Sequence, residues 1–138
     1  MSEEMITGGS AQESMLKGAI GMSKGLGLMP SLIIDTHFIR RGRFGRLAEA
    51  VAMHPTLIGV GLAEDTGLII KNRNKFKVIG SGMVIVFDPS GLTHNNHPIL
   101  PDGTPMSMCH LSVHILASND EFTVDNRTIK VWPLTVHL

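Results

Sequence analysis

Two short apolar runs, Leu32-Ile33-Ile34 and Leu57-Ile58-Gly59-Val60-Gly61-Leu62, each give way to an acidic residue, Asp35 in one case and Glu64 in the other. Their length and β-branching predict buried strands. Between them the apolar period changes. Phe44, Leu47, Ala48 and Val51 fall at i, i+3, i+4 and i+7, which predicts a helix over residues 43–53. His54-Pro55 ends it, because a residue before proline is pushed out of the α region. Strand, crossover helix and strand at this spacing make a βαβ unit with parallel strands. The chain is therefore read as α/β, and ligand chemistry is expected beyond the carboxyl ends of those two strands.

The flanks carry less pattern. Residues 1–31 are rich in glycine and methionine and read as loop with at most one short helical turn. From Thr66 the texture becomes antiparallel. Leu68–Ile70 and Phe76–Ile79 flank Asn72-Arg73-Asn74, a hairpin signal. Met83–Phe87 is a further strand, and residues 92–107, with three prolines, a long loop. Cys109, Leu111, Val113 and Ile115 alternate with His110, Ser112 and His114, which places the first set on an apolar face and Cys109 in the core. Phe122–Val124 and Thr128–Trp132 predict a last hairpin.

Composition narrows the function classes. At 138 residues the chain forms one domain at most, since a domain takes roughly 100–200 residues. Twelve basic side chains balance twelve acidic ones, and with no Tyr a nucleic-acid surface built on basic grooves and stacking platforms is not expected. The single Cys109 cannot pair internally and fits a reducing compartment, so a cytoplasmic protein is expected. No run reaches the 18–20 or so apolar residues of a membrane span, and Met1-Ser2-Glu3-Glu4 does not open a secretory signal.

Two constellations point to chemistry. The strand ends carry Asp35-Thr36-His37 and Glu64-Asp65-Thr66, and a His beside a carboxylate is the base and orienting acid of a nucleophilic triad. The alternative is a strand-capping His37 with Glu64 bonded to nearby backbone. The second is Arg40-Arg41-Gly42-Arg43-Phe44-Gly45-Arg46, with Arg43 and Arg46 on one helix face. Cations at a helix N-terminus oppose the helix dipole, which favours an anionic ligand for their planar forks. The alternative there is a solvated face with Arg46 paired to Glu49. His94-Asn95-Asn96-His97 has ligand-like spacing without a third ligand and reads as polar loop; neither metal nor cofactor is expected. A nucleophile is missing: Ser10 in Thr7-Gly8-Gly9-Ser10-Ala11 lacks the preceding strand and the final glycine of a nucleophile elbow.

The stretch Asp35-Thr36-His37-Phe38, followed by Arg41, Arg43 and Arg46, resembles the cyanophycinases, a family of serine peptidases that also includes aspartyl dipeptidases. The resemblance takes in residues 1–6, 25–27, 35–47 and 59–66 and continues less specifically through 111–116. It implies a class I glutamine amidotransferase-like fold, a parallel sheet flanked by helices, with antiparallel strands toward the C-terminus. It implies hydrolysis of cyanophycin, an arginyl-polyaspartate, to β-Asp-Arg dipeptides. His37 would be the general base and Glu64 its orienting acid, while Asp35, Thr36, Arg41, Arg43 and Arg46 would line the substrate pocket. Thr36 departs from the Gln common in the family. The family's serine elbow lies just before the point matching Met1, so residues 1–138 are expected to be a single partial domain, the C-terminal half of the fold without its first strands. Such a chain alone is expected to be inactive, and the full-length protein a homodimer. Two other functions stay open: a polyanion-binding fragment or pseudoenzyme, and an aspartyl dipeptidase.

Overall fold

The computed structural model describes residues 2–9, 20–24, 29–39, 42–72, 74–125 and 128–133. Strands β1 (Ser2–Gly9), β2 (Ile20–Lys24) and β3 (Met29–Asp35) precede the helix α1 (Phe44–Met53). Strands β4 (Ile58–Leu62), β5 (Thr66–Lys71), β6 (Lys75–Gly80) and β7 (Val84–Asp88) follow. The remaining strands are β8 (His94–Asn95), β9 (Met108–Cys109), β10 (Ser112–Leu116), β11 (Glu121–Asp125) and β12 (Thr128–Trp132).

A six-stranded sheet runs in the order β10-β7-β4-β3-β1-β2, and a four-stranded sheet in the order β12-β11-β6-β5. The predicted βαβ unit is present: β3 and β4 are parallel, with Leu32 opposite Ile58 and Asp35 opposite Gly61. Strand β1 lies parallel to β3, whereas β2, β7 and β10 run antiparallel to their neighbours. The six-stranded sheet is thus mixed, and the second sheet is antiparallel throughout its described pairings. Of the expected parallel sheet flanked by helices, the described residues hold the parallel strands β1, β3 and β4 with α1 on one face, set within three layers. One face of the large sheet carries α1, through Ile33, Leu57, Ile85 and Phe87 against Leu47, Ala48, Ala50 and Val51. The other face carries the four-stranded sheet, where Leu32, Ile58, Val60, Val84 and Val86 meet Phe76, Val78, Phe122 and Val124. Among the described residues one α-helix covers the first face, and an antiparallel sheet with one apolar face covers the second.

Three expectations change. The glycine-rich start holds two strands, β1 and β2, because pairing beside β3 organises a segment with little pattern of its own. The long loop contains the short strand β8, which pairs with β9 just beyond the loop, His94 opposite Cys109. Cys109 is exposed, not in the core. It lies in β9, opposite His94, and the left-handed His110 (φ 65°) breaks the alternation before β10, where Val113 and Ile115 are 43% and 67% exposed.

Glycines decide how closely the layers approach. In β4, Ile58, Val60 and Leu62 turn toward the small sheet, while Gly59 and Gly61 face the helix side. A Cβ at Gly59 would come within 2.6 Å of Val51. One at Gly61 would come within 2.5 Å of the Phe38 ring. Real Cβ atoms do not approach that closely, so α1 and Phe38 lie directly on the β4 backbone.

Candidate active site

The two parallel strands end side by side, and the turns beyond them carry His37 and Glu64. Burial of Phe38 fixes the first turn. Its ring is 2% exposed and meets Phe87 edge-on with centroids 6.1 Å apart. Its amide donates to the Leu62 carbonyl at 3.0 Å, tying the turn after β3 to the end of β4. The second turn is braced by residues 80–82. The Ser81 amide donates to the Asp65 carbonyl, the Ala63 amide donates to the Met83 carbonyl, and the Thr66 hydroxyl donates to the Glu64 carbonyl. A Cβ at Gly82 would fall 2.3 Å from Thr66 Oγ1 and 2.8 Å from the Glu64 carbonyl. At Gly80, with φ +101°, it would fall 2.0 Å from the Asp65 carbonyl.

Within this frame His37 Nδ1–H donates to Glu64 Oε2 at 2.5 Å. An ionised carboxylate only accepts, so the proton of the neutral ring sits on Nδ1 and Nε2 keeps a lone pair. The His37 side chain is 50% exposed and that of Glu64 24%, so the ring is open to an incoming group while its carboxylate partner is sheltered. Glu64 Oε1 is buried and accepts no hydrogen bond among the described residues. Both His37 (φ 53°) and Asp65 (φ 52°) adopt left-handed backbone. For non-glycine residues that costs on the order of 1–3 kcal/mol, and such strain gathers at functional sites.

Beneath this pair lies a buried ionic cluster. Asp35, at the end of β3, receives two parallel hydrogen bonds from Arg46, Nε to Oδ2 at 2.7 Å and Nη2 to Oδ1 at 2.5 Å. Arg43 reaches the same carboxylate at 3.3 Å and the Thr36 carbonyl at 2.6 Å. Arg46 pairs with Asp35 and not with Glu49, which turns instead to His97 at 3.2 Å beneath α1. The cluster joins the start of α1 to the His37 turn, and Asp35 supplies the negative charge that the helix N-terminus favours and its own first turn lacks. Thr36 is exposed beside it. Arg41 and Ser10 lie outside the described residues.

His94 and His97 do not converge: His94 bonds Ser107, His97 bonds Glu49. His110 bonds Thr93. No group of three or more potential metal ligands occurs among the described residues, and no helix among them is long and apolar enough to cross a membrane. Sequence reasoning did not find Phe38, Gly61, Gly80 or Gly82 as elements of the site. The signal was present in the bare glycines of Gly59-Val60-Gly61 and Gly80-Ser81-Gly82 on either side of Glu64.

The site thus consists of a histidine and a glutamate hydrogen-bonded across the ends of adjacent parallel strands of an α/β chain. The sequence comparisons identify the particular relatives, which are cyanophycinases. The chain is 40% identical over 129 residues to the cyanophycinase of Trichormus variabilis, covering 94% of this chain and 43% of that protein. It is 35% identical over 122 residues to that of Geminocystis herdmanii, covering 88% and 45%. The match to the enzyme of Synechococcus elongatus is 30% over 130 residues, covering 94% and 40%. The chain thus spans less than half the length of these curated relatives while matching them over most of its own. No family model matches it.

Proposed function

We propose that this chain is the base-and-acid portion of a serine-type peptidase of the cyanophycinase kind, hydrolysing arginyl-polyaspartate to β-Asp-Arg dipeptides. The observation that carries the reading is the His37–Glu64 hydrogen bond, made through Nδ1 by a histidine side chain that is half exposed. Its support is the 40% identity to a protein named cyanophycinase. Releasing a β-Asp-Arg dipeptide requires breaking a polyaspartate backbone amide. In this mechanism a serine hydroxyl, supplied from sequence before Met1, attacks the amide carbonyl while Nε2 takes its proton. The same nitrogen then delivers that proton to the departing amine, leaving an acyl-enzyme for water to hydrolyse, and Glu64 stabilises the imidazolium that forms in between.

The substrate pocket is assigned to Thr36 and the Asp35–Arg43–Arg46 cluster, and by resemblance alone to Arg41, which lies outside the described residues. Arg43 and Arg46 are both already bonded to Asp35, so their part is to hold the Thr36-His37 turn and lend one net positive charge. This weakens the non-catalytic reading in which those arginines grip a polyanion. The complete fold is of the class I glutamine amidotransferase type, with the parallel strands extended by the segment that brings the serine, and the complete protein is a homodimer.

The experiment is to sequence the source DNA before the Met1 codon and express the chain with the segment found there. An in-frame Gly-x-Ser-Ala-Gly after an apolar strand, and dipeptide release from arginyl-polyaspartate that His37→Ala reduces at least 1000-fold, is the expected result. The 138-residue chain alone should release none. Release unaffected by His37→Ala would sink the reading.

A further inference from the structure

The outer face of the four-stranded sheet has no part in the site described above, and its charge pattern is unusual. The chain's lysines are Lys17, Lys24, Lys71, Lys75, Lys77 and Lys130, and the last four share this face. The inner face is fixed by the core: Leu68, Phe76, Val78, Phe122, Val124, Ile129 and Val131 all pack inward. Alternation then turns Lys71, Lys75, Lys77, Glu121, Asp125, Lys130 and Trp132 outward. Register arranges them in two rows. Lys71 opposes Lys75, Lys75 opposes Thr123, and Thr123 opposes Lys130. The next row runs Ile69, Lys77, Glu121, Trp132.

At roughly 4.8 Å between strands each row spans about 14 Å. Like charges directly opposite each other destabilise a sheet, and Lys71 faces Lys75, which among the described residues is bonded to one carboxylate, Glu121, at 3.1 Å. Trp132 is 55% exposed at the end of the second row, and its ring borders a shallow hollow with Lys75, Glu121 and Thr123. Lysines together with two carboxylates, Glu121 and Asp125, and an open indole suit a ligand bearing both carboxylates and guanidinium groups. Ammonium groups pair with the carboxylates, while a guanidinium stacks on the indole and reaches Glu121.

We infer that this face is a second binding surface for the polymer, holding a stretch of arginyl-polyaspartate remote from the bond being cut. The inference rests on the substrate class proposed above. Strand β5 begins two residues after Glu64 and climbs about 17 Å, at roughly 3.3 Å per residue, to Lys71. A chain held there by several repeats stays close to the active site, whereas a single dipeptide is too short to engage both rows.

Trp132 is the only tryptophan, so its fluorescence reports on the face directly. The full 138-residue chain is titrated with (β-Asp-Arg)8 oligomer, with the β-Asp-Arg dipeptide and with plain polyaspartate. The oligomer should shift Trp132 emission and bind at least tenfold more tightly than either of the others. Lys71→Glu with Lys75→Glu should weaken oligomer binding at least tenfold. Lys71→Gln with Lys75→Gln, which removes charge without adding any, should weaken it by a smaller factor, with circular dichroism unchanged for both variants.

Absence of a Trp132 response, equal binding by the lysine variants, or equal binding of plain polyaspartate overturns the proposal. So does concentration-dependent self-association abolished by the same substitutions, since the face would then be an interface between copies. Dipeptide release by the longer protein without any Trp132 response defeats this inference alone. A Trp132 response without dipeptide release defeats the proposed hydrolysis and leaves the surface standing.

Discussion

Replacing Gly61 by alanine places a methyl carbon 2.5 Å from Cγ and 2.6 Å from Cδ2 of Phe38. The ring has nowhere to yield, being 2% exposed and set edge-on against Phe87, which is fully buried. Forcing one extra carbon into such a core costs about 1–3 kcal/mol. For a chain of this length each kcal/mol lowers Tm by roughly 3–5 °C, so the expected fall is about 3–15 °C by thermal unfolding. The displacement has a second reading, because Phe38 follows His37 and its amide is bonded to Leu62. Moving the ring moves the turn and loosens the His37–Glu64 hydrogen bond, seen by 15N NMR as loss of the Nδ1–H pattern of His37. Gly59→Ala meets Val51 at 2.6 Å and is the control: it should lower Tm while leaving His37 unchanged. Phe38→Leu makes room, so the double variant Gly61→Ala/Phe38→Leu should be more stable than the sum of the singles by about 0.5–3 kcal/mol. Additive singles, or a Tm within a degree of the parent in Gly61→Ala, would refute the claim that Phe38 is clamped on the bare β4 backbone.

Asp35→Asn leaves Arg46 and Arg43 without their shared carboxylate in a site where all three side chains are largely buried, and should cost about 3–5 kcal/mol in urea unfolding. Glu64→Gln should redistribute the neutral His37 ring between its two tautomers, read as converging 15N shifts of Nδ1 and Nε2, with little change in Tm because the His37 side chain is half exposed. Cys109 should react with a thiol reagent in the native state at nearly the rate of the unfolded chain; protection of a hundredfold or more would return it to the core.

The sequence alone determined the part of this protein in which local pattern and tertiary role agree. Apolar runs at 32–34 and 57–62 with a 3.6-period stretch between them allow little but parallel strands joined by a helix, and β3, α1 and β4 form as that pattern requires. The same spacing placed His37 and Glu64 at neighbouring strand ends, because side-by-side parallel strands deliver their carboxyl ends to one edge. Three things needed the assembled structure. Strands β1 and β2 carry no alternation strong enough to announce them, and pairing beside β3 defines them. The partner of Arg46 was a choice between Glu49, one turn along its own helix, and Asp35 on a neighbouring strand. The strand won through a two-pronged hydrogen bond that helix spacing does not reveal. Exposure of Val113 and Ile115 on edge strand β10, and the place of Cys109 in the separate β8–β9 pairing, are tertiary facts that alternation along one stretch of sequence does not encode. Period two says which residues share a face, but what covers that face is decided by the rest of the chain.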